Sequence, residues 1–267
     1  EQRNKILSYQ PVKYCQIVLD GLPEQDANSY DIPVNPLQFP PDHIDELSRC
    51  IENEYKGSAN EFNWNVYGLG LKAEQPNRIF NWNEISVNEY ENIDAQVYTG
   101  CDWGAVDPWG IVDAKYYDGG LYFRERNYTS ENELRAKLTS TELSQINGND
   151  EGIVSWMFKR LSIPYGRHIV CDNNRSTKIR ALRIAGWEYA QAANKVQITD
   201  GIDLLNNLRV YFTSDSTNLK YEQENYSYKV DRYGKVLEEP EDVNNHLTDP
   251  ARYLAIYLRT HGIINKI

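Results

Sequence analysis

Three aspartates in this 267-residue chain occupy positions from which a carboxylate can reach a ligand. Asp102 ends the apolar run Val97-Tyr98-Thr99-Gly100-Cys101, and Asp172 ends Ile169-Val170-Cys171. Asp249 lies in Asn245-His246-Leu247-Thr248-Asp249-Pro250, where an apolar-periodic stretch begins, and His246 precedes it by three positions. One aspartate after a strand is usually a turn former or helix cap, and Asp249-Pro250 taken alone is a helix start. The joint arrangement is what lifts the reading above these. Carboxylates gathered in one place repel, and such a cluster is costly unless a cation neutralises it. Oxygen ligands suit the hard cations Mg²⁺ or Mn²⁺. Two such ions roughly 4 Å apart activate water and stabilise the leaving oxygen of a phosphodiester.

The elements that must carry these residues can be read from the chain. After Asp102 come Gly104, an Asp107-Pro108 turn signal and Gly110, then Ile111 to Tyr117, an Asp-Gly-Gly turn at 118 to 120, and Leu121 to Arg126. This is a three-stranded antiparallel meander opened by the aspartate. Helical periodicity predicts helices over 131–146 and 150–162. A strand over 167–172 is followed by a helix with Ile179 and Leu182 on one face, stopped by Gly186. A strand over 187–192, a helix over 202–208 capped by Asp200 and a strand over 209–212 follow. Residues 219–237 suggest a hairpin turning between Asp231 and Gly234, which leaves Glu222 without a role. A last helix over 245–258 holds Asp249 and His246 on one face. Meander, then alternating strand and helix, predicts an α/β fold with a mixed sheet and helices on both faces. Ligands of such sheets lie outside the strand ends. The domain is expected to span 95–267. Residues 1–94 read as an arm or linker with a strand-like run at 12–19 and a helix at 43–56.

Composition narrows the partners. With 28 basic and 39 acidic residues the net charge is -11, which disfavours broad nucleic-acid binding but leaves room for an acidic metal cleft. Candidate phosphate contacts are Arg175, close after Asp172, Lys195, and Arg252 on the last helix. Against this, Lys195 also reads as a solvated surface residue, and Arg252 as an intrahelical partner of Asp249. Asp107 reads as a turn residue. The four cysteines, at 15, 50, 101 and 171, have no zinc spacing. They suit a reducing compartment, with Cys101 and Cys171 as small buried residues. No segment is long and apolar enough to span a membrane.

A meander that opens with an aspartate occurs in ribonuclease H-type metal nucleases. The sequence resembles, more narrowly, the C-terminal nuclease domain of the large terminase subunit of tailed phages. The resemblance rests on Gly100-Cys101-Asp102-Trp103-Gly104 with Asp107-Pro108, on Cys171-Asp172 and the helix after it, on Thr199-Asp200-Gly201-Ile202, and above all on Asn245 to Tyr253. Pro250 stands where that family usually has Ala. A fainter likeness at Tyr30 to Pro36, after Asp42, and at Tyr67 to Gly70 looks like the tail of an ATPase domain with its linker. The resemblance implies a ribonuclease H-like fold and an Mg²⁺- or Mn²⁺-dependent endonuclease that cuts double-stranded DNA concatemers during genome packaging. It implies two divalent ions on Asp102, Asp172 and Asp249 with His246 assisting. It also implies other terminase and portal proteins as partners, and the host cytoplasm as the setting. No phosphate loop ending Gly-Lys-Ser/Thr is present, so a complete motor and ATP as cofactor are not expected, and the piece alone is expected to be monomeric. Two rivals stand beside this reading: another enzyme of the same fold (a junction resolvase, transposase or exonuclease), and a non-catalytic docking domain whose carboxylates serve as caps.

Overall fold

Alternation along short strands places a continuous apolar layer on each side of one sheet. In β2 (Val97–Asp102), β3 (Gly110–Tyr117) and β4 (Gly120–Asn127), Tyr98, Val112, Ala114, Leu121 and Phe123 face one way, and Cys101 and Ile111 face the other. The computed structural model describes residues 77–146, 150–231 and 235–264. The strand expected at 12–19, the helix expected at 43–56, Cys15 and Cys50 lie outside them. Backbone proximity divides the chain into Glu1–Pro76 with Val230–Lys235 and Asn77–Lys229 with Val236–Ile267, and the sheet belongs to the second unit.

The sheet has seven strands in the order β1-β7-β4-β3-β2-β5-β6, where β1 is Asn83–Ile85, β5 His168–Cys171, β6 Ala190–Ala192 and β7 Arg209–Thr213. The meander β2-β3-β4 is antiparallel and every other pairing is parallel. The fold is therefore a mixed α/β sheet of the ribonuclease H-like kind, as the pattern predicted. The boundary expected at residue 94 falls inside this unit, because β1 pairs with β7 and Ile79, Phe80 and Trp82 are buried in the core.

One face packs on α6 (Ile198–Asn206), α7 (Thr217–Asn225) and α8 (Thr248–Thr260) through Ile202, Leu205, Leu219, Leu254 and Leu258. The other packs on α4 (Asp150–Arg160) and α5 (Ser176–Ile184) through Ile153, Met157, Phe158, Ile179 and Leu182. Three remaining helices, α1 (Val87–Asn92), α2 (Glu131–Lys137) and α3 (Ser140–Ile146), are short.

Several expected boundaries move for local reasons. The helix expected over 131–146 is two, because Leu138 is extended and Thr139 starts a new turn by exchanging bonds with Glu142, an N-terminal capping box. Asp200 is inside the first turn of α6 rather than its cap, which is Gln197. Residues 217–225 are helix, so only β8 (Tyr228–Val230) and β9 (Val236–Pro240) form the expected ribbon. Glu222 is thus helical and fully buried.

Helix α8 lies unusually close to β2. A Cβ on Gly100 would stand 2.6 Å from the carbonyl oxygen of Pro250 and 3.0 Å from the Leu254 side chain. A backbone oxygen cannot swing aside, so Gly100→Ala should cost about 2 kcal/mol. Urea unfolding should show this as a lower midpoint at unchanged slope.

Candidate metal centre at the strand ends

Register alone brings two of the aspartates together. Cys101 and Cys171 are paired across the parallel strands β2 and β5, and the Asp172 N–H donates to the Cys101 carbonyl at 2.8 Å. The residue after each cysteine is therefore at the same height, at the end where both strands run out. Cys101 and Cys171 point to the α4–α5 face, so alternation turns Asp102 and Asp172 towards the α8 face. There the first turn of α8 carries Asp249. Strand register thus sets Asp102 and Asp172 side by side at this end of the sheet, and the first turn of α8 carries Asp249 on the face they turn towards. Each aspartate is partly exposed.

Their charges act on one another. Burial raises the Asp172 carboxyl above its ordinary value, the Asp102 charge raises it further, and the N–H groups of Asn173 and Asn174 oppose both. Burial likewise raises Asp249, against the attraction of Arg252 and with the help of Asp102. The neighbouring Tyr253 hydroxyl is raised by burial and by the Asp249, Asp102 and Asp172 charges together.

His246 precedes α8 instead of sharing its face, since the helix begins at Thr248. Its Nδ1 is 3.8 Å from Asp102 Oδ2, an ion-pair distance too long for a hydrogen bond. Asp102 raises the imidazole above its ordinary value, burial opposes this, and the charge of Glu222 adds to it. His246 is brought in by another backbone approach: a Cβ on Gly110 would stand 1.8 Å from the His246 carbonyl oxygen.

The three expected basic residues separate. Arg175, in the 3-10 turn after Asp172, and Lys195, after β6, are exposed at the same end of the sheet. Arg252 is only 6% exposed, and its Nη2 donates to Asp249 Oδ1 at 2.9 Å. This is the intrahelical pair and not a surface phosphate contact. Its stem lies against Gly201, where a Cβ would come within 2.2 Å.

Two supports escaped the sequence reading. Glu222 accepts the N–H groups of His246 (3.0 Å), Leu247 (2.7 Å) and Thr248 (3.1 Å). On the opposite face, Lys178 is buried against Glu131 at 2.7 Å and lies over the rings of Trp103 and Trp109. The Trp103 indole N–H donates to the Asp172 carbonyl at 3.2 Å, which ties the loop after Asp102 to the loop after β5.

Among the described residues no group of three or more His, Cys, Asp or Glu side chains is arranged to hold a metal ion. The donor chemistry nevertheless fits a divalent cation. All three offer carboxylate oxygens, two of them are raised by the charge of the third, and among the described residues only Asp249 has a buried cationic partner.

Solved structures with this architecture are known. The chain superposes on the nuclease domain of the large terminase of bacteriophage SPP1, solved with bound Mn, with TM-score 0.52 and 20% identity over 68% of this chain and 98% of that one. The fold is that of a large-terminase nuclease domain. The terminase nuclease domain of P22 matches with TM-score 0.50 and 14% identity over 71% and 97% of the two chains. The large terminase of a thermophilic bacteriophage matches with TM-score 0.52 and 17% identity over 84% of this chain, which spans 52% of that longer one. No family model and no curated protein matches the sequence. In this terminase-nuclease fold the acidic edge sits beyond the ends of parallel strands, where α/β sheets place their ligands.

Two stability measurements separate the aspartates. The folded value of Asp172 lies above its ordinary 3.8, so its stabilising contribution is full below the unfolded value and is lost as pH rises through the folded one. In cation-free buffer Asp172→Asn should therefore melt higher than wild type at neutral pH, by about 2 °C. That gap should close as the pH falls to about 4. Asp249→Ala should instead lose about 3 kcal/mol, because it leaves the Arg252 guanidinium buried and unpaired.

Proposed function

We propose that this chain carries a divalent-metal-dependent endonuclease that cleaves double-stranded DNA during phage genome packaging. The observation that supports it is the convergence of Asp102, Asp172 and Asp249, from two adjacent strand ends and one helix start, at the edge of a sheet with the terminase-nuclease fold. The Mn named for the SPP1 domain makes that ion the natural probe.

In this reading Asp102, Asp172 and Asp249 hold two cations, Mg²⁺ or Mn²⁺. Bound there, the ions supply an activated water and charge stabilisation for the departing oxygen. The chain's own residues do the rest. Asp102 and Asp172 offer carboxylates whose mutual repulsion a cation relieves. His246, 3.8 Å from Asp102 and raised by its charge, stands where it can give or take a proton beside the scissile group. Arg175 and Lys195, exposed at the same end of the sheet, contact phosphates on either side of the cut. Contacts of this kind carry no base readout, so cleavage has little sequence preference. DNA delivery and choice of site then belong to the other terminase and portal proteins, inside the host cell.

A non-catalytic docking role has one observation in its favour, the Asp249–Arg252 pair, which already neutralises one carboxylate. A plasmid-nicking assay in Mn²⁺ separates the two readings. Wild type should nick and linearise supercoiled DNA, and Asp102→Ala and Asp249→Ala should each lose at least about a hundredfold in rate. Equal rates in all three proteins would remove the nuclease reading. Arg175→Ala should weaken DNA binding and reduce its salt dependence by about one unit of slope.

A further inference from the structure

Helix α8 must begin without a local cap. Its first turn follows Leu247, which has no side-chain acceptor, yet the first N–H groups of a helix need partners when they are buried. Glu222, from the middle of α7, accepts the N–H of Thr248 and those of the two residues before it, while the Asp249 N–H goes to the Asn245 carbonyl at 2.8 Å. Oε1 accepts from His246, and Oε2 accepts from Leu247 and Thr248. The side chain is wholly inaccessible to solvent. The Tyr128 hydroxyl faces the same carboxylate, and the Tyr128 ring meets the His246 ring edge-on at 6.3 Å. A buried carboxylate is costly unless its lone pairs are filled, and here they are filled by the backbone that carries His246 and leads into Asp249.

We propose that Glu222 is a positioning residue for the metal centre: by gripping three consecutive N–H groups it sets where His246 and Asp249 stand relative to Asp102. This rests on the reading of the acidic edge as a cation site. Glu222 touches neither substrate nor ion, and acts only through the backbone of residues 246–248. Gln at this position keeps the shape but replaces one acceptor oxygen with a donor NH₂ group, so the three N–H groups can no longer all be matched.

The test is a calorimetric titration of the whole chain with Mn²⁺, well below the melting temperature, on wild type and four variants. Wild type binds, and Asp102→Asn abolishes binding. Ser86→Ala removes the capping box of α1 and so lowers the melting temperature without changing Mn²⁺ affinity, which separates lost stability from lost positioning. Glu222→Gln binds Mn²⁺ about tenfold more weakly, and the imidazole resonances of His246 in the cation-free protein shift in this variant and not in Ser86→Ala. If Glu222→Gln does not fold, Tyr128→Phe, which removes one hydroxyl from the same carboxylate, decides in its place with an affinity loss of about threefold. Binding that requires Asp102 but is unchanged in Glu222→Gln, or in Tyr128→Phe where that variant decides, overturns the proposal alone. No binding by wild type, or binding indifferent to Asp102, removes the site reading and the proposal with it.

Discussion

The acidic edge depends on how closely the start of α8 lies against β2 and β3. The Pro250 carbonyl rests over Gly100 and the His246 carbonyl over Gly110, at separations that exclude any side chain at either glycine. This contact brings Asp249 and His246 to Asp102, and it does so against electrostatic resistance. The Asp102 charge raises the Asp249 carboxyl, and Arg252 offsets part of that repulsion. Burying one leucine returns about 2 kcal/mol, and α8 buries Leu254 and Leu258 completely, with Ala251 and Ala255 beside them. The apolar stripe of the helix thus anchors its acidic end against the sheet.

Position along the sheet is then passed between elements by carboxylates, one half-buried and one fully buried. Glu125 on β4 accepts the N–H groups of Asn218 and Leu219, so a strand caps α7. Glu222 on α7 in turn caps α8. Neither helix has a capping side chain of its own. The other face uses a different device: Glu131 is held by Lys178 and Arg135, its N–H bonds Gly104, and Trp103 reaches Asp172. The two strand-end aspartates are thus braced from the α5 side and the helix-borne one from the α7 side.

This division explains what could be read beforehand. The meander, the α5 helix, β7 and the aspartates were legible because each rests on local pattern: alternation, helical spacing, a turn residue, a strand that ends. Even the convergence of Asp102 and Asp172 follows from two Cys-Asp pairs at the ends of neighbouring strands. Helix α7 was not legible. Thr217 to Asn225 has only Leu219 and Tyr221 as large apolar residues, and its cap comes from Glu125, about 90 residues away in sequence. With α7 misread as a hairpin, Glu222 had no visible role. Lys178 was hidden for a similar reason, since a lysine on an amphipathic helix normally reads as solvated and only the fold reveals Glu131 and the two indoles around it.

Arg252 shows how one residue can satisfy two demands. Its stem fills the space left by Gly201 in the middle of α6, where glycine is otherwise unfavourable, which gives a structural reason for the glycine in Thr199-Asp200-Gly201-Ile202. Its guanidinium is buried against Asp249 and held over the Tyr253 ring. A cation so enclosed cannot swing out to solvent, so it stays as a fixed positive charge beneath the acidic edge. Asp249 is consequently the partly compensated member of the three. Among the described residues Asp102 and Asp172 have no buried cation of their own, and Asp102 has the His246 imidazole 3.8 Å away. The uncompensated negative charge therefore lies at the ends of β2 and β5, the end of the sheet after which Arg175 and Lys195 follow. On the proposed reading, a divalent ion would relieve most repulsion there.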